Sequence, residues 1–174
     1  MLIEQYRDAL LLLLVSIAAV NDLATRRIPN RLLLAGLAGA LVLHLASAEP
    51  GATLLSALGG MLLGLAIFLP FYLVRGMAAG DVKMMAMIGF FTGPAEALQI
   101  AIFTWCAGGV MAMLFILLRN RLRQTLVNIG HVLSVLVVPG TKLSDMALSD
   151  SAGSMPYGVA IAAGTIVVLV RHYG

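Results

Sequence analysis

The sequence predicts an all-α membrane fold, a polytopic bundle of about six transmembrane helices with an amphipathic helix on the cytoplasmic interface. Three observations lead there. Of 174 residues, 61% are apolar and 11% charged, and the mean hydropathy is +1.01, well outside the range of a domain whose surface faces water. The apolar residues form long runs that end in Gly, Pro and charge, unlike the ~10-residue alternating segments of an outer-membrane barrel. Basic residues gather in alternate loops, as the positive-inside rule requires of a multi-pass helical protein.

The first run, 9–20, has the length of a secretory h-region. Glu4, Arg7 and Asp8 before it sum to a negative flank, where a signal peptide is positive, so a retained span is expected. Runs at 32–46, 54–74, 82–91, 97–118 and 157–170 follow. The third and fifth approach the ~20 residues that cross a ~30 Å hydrocarbon core; the others need polar flanks or neighbouring protein to complete a crossing. Gly36, Gly39, Gly59, Gly60, Gly64, Gly108 and Gly109 lie within the runs and are expected to let helix backbones approach closely.

Between the fifth and sixth runs, Leu122, Leu126, Ile129, Leu133 and Leu136 cluster on one side of a helix, while Arg121, Arg123, Gln124, Asn128 and His131 fall elsewhere. Residues 119–138 are therefore expected as a basic amphipathic helix on the membrane interface. Asn128 and His131 argue against a seventh span. The polar, turn-rich stretch 139–156 is expected as a cytoplasmic loop, within a single membrane-embedded domain of residues 1–174.

Arg26, Arg27 and Arg31 follow the first run, Arg75 and Lys83 the third, and Arg119, Arg121, Arg123 and Lys142 the fifth. The opposite side carries Arg7 and Arg171 among Glu4, Asp8, Glu49 and Glu96. The expected topology has three basic loops in the cytoplasm and both termini outside, in the inner (cytoplasmic) membrane. The net charge of +3 is then a matter of topology; the expected partner is the bilayer, and no nucleic acid. The lone Cys106 excludes an intramolecular disulfide and a thiolate zinc cluster. His44, His131 and His172 have no ligand spacing, so no metal is expected. Trp105, Met84, Met85 and Met87 are expected as core packing.

Ionisable side chains at membrane depth are functional candidates. Asp22, at the end of the first run, and Asp81, at the start of the fourth, fall on the same side of the membrane. Two carboxylates held close can share acid and base work, one keeping a proton while the other activates water. Each also has a structural alternative: Asp22 can pair with Arg26 four residues on, and Asp81 can cap a helix.

The local sequences are more specific. Asp22 opens "DLATRRIPNRL"; Asp81 closes "GMAAGD" and opens "DVK". Together they resemble the signature segments of the type IV prepilin peptidase family, membrane aspartic peptidases with a Gly-x-Gly-Asp motif, most closely the short single-domain branch that serves tight-adherence, Flp-type pili. The resemblance implies that Asp22 and Asp81 are the catalytic pair. It also implies supporting places for Arg26, Arg27, Pro29 and Asn30 in "RRIPN", for Gly80 and Lys83 around Asp81, and for Pro156 and Gly158 in "MPYG". Pro156 suits the first turn of a helix.

Ala78 departs from the motif, standing where the family has glycine. Alanine tolerates positive φ poorly, so a right-handed conformation or a slightly reshaped loop is expected. Long family members carry a Cys-x-x-Cys domain associated with N-methylation; this chain has no such segment. The resemblance thus implies an aspartic endopeptidase without a cofactor. It would cleave the basic leader of prepilin or pseudopilin precursors at the cytoplasmic face, without N-methylation. A small proton- or ion-coupled transporter is the rival from another class, although no second copy of "GDVK" or "RRIPN" marks a repeat. A non-catalytic pilus assembly factor is a third possibility, favoured only by Ala78.

Overall fold

The computed structural model describes residues 2–74, 76–118 and 156–173. Among the described residues the secondary structure is helical: α1 (Leu2–Thr25), α2 (Asn30–Leu45), α3 (Pro50–Leu73), α4 (Ala79–Thr92), α5 (Pro94–Leu118) and α6 (Tyr157–Tyr173). Each of the six apolar runs coincides with a helix. The helices extend beyond the runs because a helix continues through polar residues that hydropathy does not register. In α1 the charged flank is helical, and Arg7 Nε donates to the buried carboxylate of Asp8 at 3.0 Å.

Three stretches are long and apolar enough to cross a membrane: Glu4–Thr25, Pro50–Leu73, and Ala79–Leu114, which joins α4 to most of α5. The apolar helices Asn30–Leu45 and Tyr157–Arg171 are shorter, so length and composition support three spans and not the expected six. The expected interface helix at 119–138 and the loop at 139–156, apart from Pro156, lie outside the described residues. The chain divides into two compact units, Met1–Gly108 with Pro156–Gly174, and Gly109–Met155. Of the second, only the end of α5 is described.

In the first unit α4 packs against α3, α2, α6 and α1. Asp81, Val82 and every residue from Met84 to Phe91 are buried, while Lys83 is exposed. A helix that is apolar on all sides is an interior helix. At ~1.5 Å per residue α4 is only about 21 Å long, a length that suffices when its ends meet protein. Met84, Met85 and Met87 are fully buried, as core packing requires.

The α3–α4 contact is backbone on backbone. A Cβ placed on Gly60 would collide with the Gly89 carbonyl, and one on Gly64 would stand 2.7 Å from the Met85 carbonyl oxygen. Small residues permit this approach in a setting where lipid supplies no hydrophobic drive between helices. Among the described residues Gly59 and Gly109 take no part in such contacts: the nearest atom to a Cβ on Gly59 is 3.9 Å away, and none lies within 4 Å of one on Gly109.

Gly93, at φ 79°, breaks the chain between α4 and α5, and Pro94 opens α5. Continued helix would have given the Phe90 carbonyl the N–H of residue 94, but proline has none. His44 supplies the donor instead: its Nε2 donates to Phe90 O at 2.8 Å, and its ring meets the Phe90 ring edge-on at 5.5 Å. His44 is thus a satisfied structural histidine. Trp105 differs from expectation. It is 43% exposed, packed against Phe71 at 5.8 Å and Phe68 at 6.4 Å. Lipid and core are equally apolar, so hydropathy could not tell which of them it faces.

Candidate active site

Asp22 lies in the last turn of α1 and is 6% exposed. The helix ends just beyond it. Arg26 adopts φ 55°, its N–H donates to Asp22 O at 2.9 Å, and Thr25 Oγ1 donates to the Asn21 and Arg27 carbonyls. A left-handed residue after a helix satisfies its last carbonyls, a place glycine or asparagine usually fills. A carboxylate at this end faces the negative pole of its own helix. Two groups offset that: the charge of Arg26 acts on Asp22, and the Gly158 N–H at the start of α6 donates to Asp22 Oδ2 at 2.8 Å.

The first N–H groups of a helix have no partner within the helix, so α6 offers Asp22 both a donor and a positive helix end. The contact requires glycine. A Cβ on Gly158 would stand 2.9 Å from Asp22 Oδ2 and 3.1 Å from Asp22 Cβ. Pro156 is buried and stands immediately before α6, not inside its first turn, and its carbonyl accepts the Val159 N–H at 3.1 Å.

Asp81 is in the first turn of α4 and 4% exposed. Its Oδ2 accepts the N–H of Ala78 at 3.2 Å, half of a capping box in which the third helical residue reaches back to the N-cap. Ala78 itself has φ −80° and ψ 151°. That is extended backbone, open to any residue. The departure from the motif glycine therefore imposes no strain, and the conformation is neither right-handed helical nor reshaped by positive φ. Gly80 is explained by packing instead, since a Cβ there would stand 3.3 Å from Ile28 Cβ.

"RRIPN" forms the connection from α1 to α2. Pro29 is the N-cap of α2, with φ −65°, and its carbonyl accepts the N–H groups of Leu32 and Leu33. Asn30 Oδ1 accepts from Lys83 Nζ at 3.2 Å, which ties this connection to the start of α4. Lys83 therefore faces Asn30. Arg27 is exposed, and its carbonyl accepts from Thr25.

Gly158 and Asp22 thus meet where α6 starts and α1 ends, and α4, whose first turn carries Asp81, packs against both helices. The charges of the two carboxylates act on one another. Each carboxylate has Oδ2 held by a backbone N–H, a fixed orientation suited to acid–base work. Sequence reasoning quoted Tyr157 but did not count it among the site residues. It opens α6 beside Gly158, and the charge of Asp81 reaches it. Its signal was its place between Pro156 and Gly158. Among the described residues no group of three or more His, Cys, Asp or Glu could hold a metal ion.

A sequence profile described as the type IV leader peptidase family matches residues 9–113 of the chain. The matched stretch takes in both aspartates and the "RRIPN" and "GMAAGD" segments, while α6 lies beyond it. No curated protein and no solved structure matches.

Proposed function

The chain belongs to the type IV leader peptidase family, and on that premise we propose that it is a membrane-embedded aspartic endopeptidase that removes the basic leader of prepilin-like precursors at the cytoplasmic face, without N-methylation. One observation carries the aspartic assignment: two buried carboxylates from different helices interact, each clamped through Oδ2 by a backbone N–H. Like charges brought together out of water are unfavourable unless one holds a proton, which is the division of roles that acid–base work by a carboxylate pair uses.

The chemistry balances with water and this pair alone. One aspartate, ionised, takes a proton from water as the water oxygen bonds to the scissile carbonyl carbon. The other, protonated, gives its proton to the carbonyl oxygen as the C=O π bond opens. In the second half the C–N bond breaks and the leaving nitrogen takes the proton held by the first aspartate. The new carboxyl then returns a proton to the second.

The basic loops favour a cytoplasmic position for the end of the bundle that bears the aspartates, with six crossings. The short helices α2 and α6 would complete theirs against neighbouring protein. A substrate with a short leader and an apolar helix would enter laterally from the bilayer, its leader remaining in the cytoplasm. The assembly-factor alternative draws only on Ala78, whose extended backbone is one that any residue adopts.

The test is cleavage of a prepilin-type precursor by the purified protein, beside Asp22→Ala and Asp81→Ala. Cleavage by the parent and loss in both variants is expected. Persistent cleavage in either variant would sink the dyad.

A further inference from the structure

Each aspartate has a clamp, yet neither clamp relates one aspartate to the other. Gly158 belongs to α6 and holds Asp22; Ala78 belongs to the start of α4 itself and holds Asp81. Acid–base work on one water and one carbonyl needs both carboxylates at a set separation. The end of α1 must therefore be tied to the start of α4, and the connection from α1 to α2 begins at the one and touches the other.

Its first residues are fixed to the turn that carries Asp22. Arg26 N–H donates to Asp22 O at 2.9 Å, and Thr25 Oγ1 donates to Arg27 O at 3.3 Å. The next residue, Ile28, packs against the core and reaches Gly80, the neighbour of Asp81. A Cβ on Gly80 would stand 3.3 Å from Ile28 Cβ, 3.6 Å from Cγ1 and 3.7 Å from Cδ1, so the isoleucine lies lengthwise against that backbone. Asn30 and Lys83 add a second tie at 3.2 Å. Lys83 is exposed, and its flexible stem follows a movement more readily than it limits one.

Ile28 is stiff in both backbone and side chain. A residue before proline is kept out of the helical region, and Pro29 imposes that on Ile28. A β-branched side chain is restricted at χ1. Leucine or methionine would fill the same space with more freedom.

We propose that Ile28 is a positioning residue of this site: seated along Gly80, it sets the distance at which the end of α1 and the start of α4 hold Asp22 and Asp81. This rests on the peptidase function proposed above. Ile28 takes no part in proton transfer and acts through the two aspartates.

The experiment compares Ile28→Ala, Ile28→Val and Gly80→Ala with the parent in the full-length protein. It measures melting temperature, and kcat, KM and the pH profile of kcat on a precursor with a leader and an apolar helix. Ile28→Ala removes the Cγ1 and Cδ1 contacts and should lower kcat by about 10- to 100-fold, since a misplacement of ~1 Å costs on that order, while KM holds. Ile28→Val keeps the branched Cβ and should keep most of its kcat. A carboxylate pair gives a bell-shaped profile whose limbs are held apart by the interaction between the two groups, so the limbs should draw together in Ile28→Ala. Arg26, whose charge acts on Asp22, Tyr157, which the charge of Asp81 reaches, and Lys83 are kept in every variant. Gly80→Ala presses a methyl against Ile28 although alanine is the better helix former, so kcat should fall without a matching loss of melting temperature; it carries the test if Ile28→Ala does not fold. Full kcat in Ile28→Ala or Gly80→Ala, a fall in Ile28→Val as deep as in Ile28→Ala, or a lowered kcat with the limbs at their parental spacing would overturn the assignment. Failure of the peptidase function looks different: the parent cleaves nothing, or Asp22→Ala or Asp81→Ala still cleaves, whatever the Ile28 variants do.

Discussion

Replacing Gly158 by alanine adds one methyl group at the tightest point of the candidate site. That Cβ would stand 2.9 Å from Asp22 Oδ2, 3.1 Å from its Cβ and 3.2 Å from its Cγ, where ordinary contact begins near 3.4 Å. Either the Asp22 carboxylate retreats by several tenths of an ångström or the start of α6 does. Both stretch the 2.8 Å bond from Gly158 N–H to Oδ2. A hydrogen bond to a charged group contributes about 1.5–3 kcal/mol. If that is lost where Asp22 acts, kcat falls by about 10- to 150-fold at ~1.4 kcal/mol per tenfold. Stability should fall too, by less than that bond contributes, because alanine in a helix gains about 0.5–1 kcal/mol over glycine. The assay is precursor cleavage as kcat and KM, with thermal denaturation in the same detergent. Gly109→Ala is the control, since among the described residues nothing lies within 4 Å of a Cβ there, and it should keep its activity. Full kcat in Gly158→Ala would refute the claim that this amide positions Asp22.

Two further substitutions probe the frame around the site. Gly60→Ala drives a methyl into the Gly89 carbonyl and to 2.8 Å from Gly93 Cα; backbone cannot yield as a flexible side chain does, so a loss of about 1–3 kcal/mol or more is expected, read as a lowered melting temperature. An unchanged melting temperature would count against the close α3–α4 approach. Arg26→Gly relieves a left-handed non-glycine residue and should raise stability by about 1 kcal/mol. Arg27 in the same connection and Arg31 in the first turn of α2 remain to hold its orientation, which a reporter fused after that connection would check, and a fall in melting temperature would show that the side chain outweighs the backbone strain.

Much of the frame was legible in the sequence because the bilayer imposes it. Apolar runs had to become helices, and the six runs located all six described helices. Their ends were less legible: α1 continues through Asp22 to Thr25, and only the geometry around Arg26 reveals where it stops. Asp22 and Asp81 stood out as carboxylates at membrane depth, and local motifs sharpened them. The roles of the glycines did not emerge in the same way. Gly80 and Gly158 are small for different neighbours, Ile28 and Asp22, which no spacing discloses. The concern over Ala78 came from assuming that a motif glycine serves positive φ; its φ of −80° shows that this position has no such need. Trp105 was misjudged because hydropathy ranks lipid and protein interior alike.

The bond from Gly158 to Asp22 spans 136 positions of sequence, and that separation orders events during biosynthesis. A chain grows from its N-terminus. Both aspartates are therefore synthesised and inserted well before the residue that fixes the first of them. A nascent chain ending after α5 already holds its two carboxylates, yet Asp22 has no α6 amide to orient it. The last helix to be made is the latch, so a partly synthesised copy has an unset site.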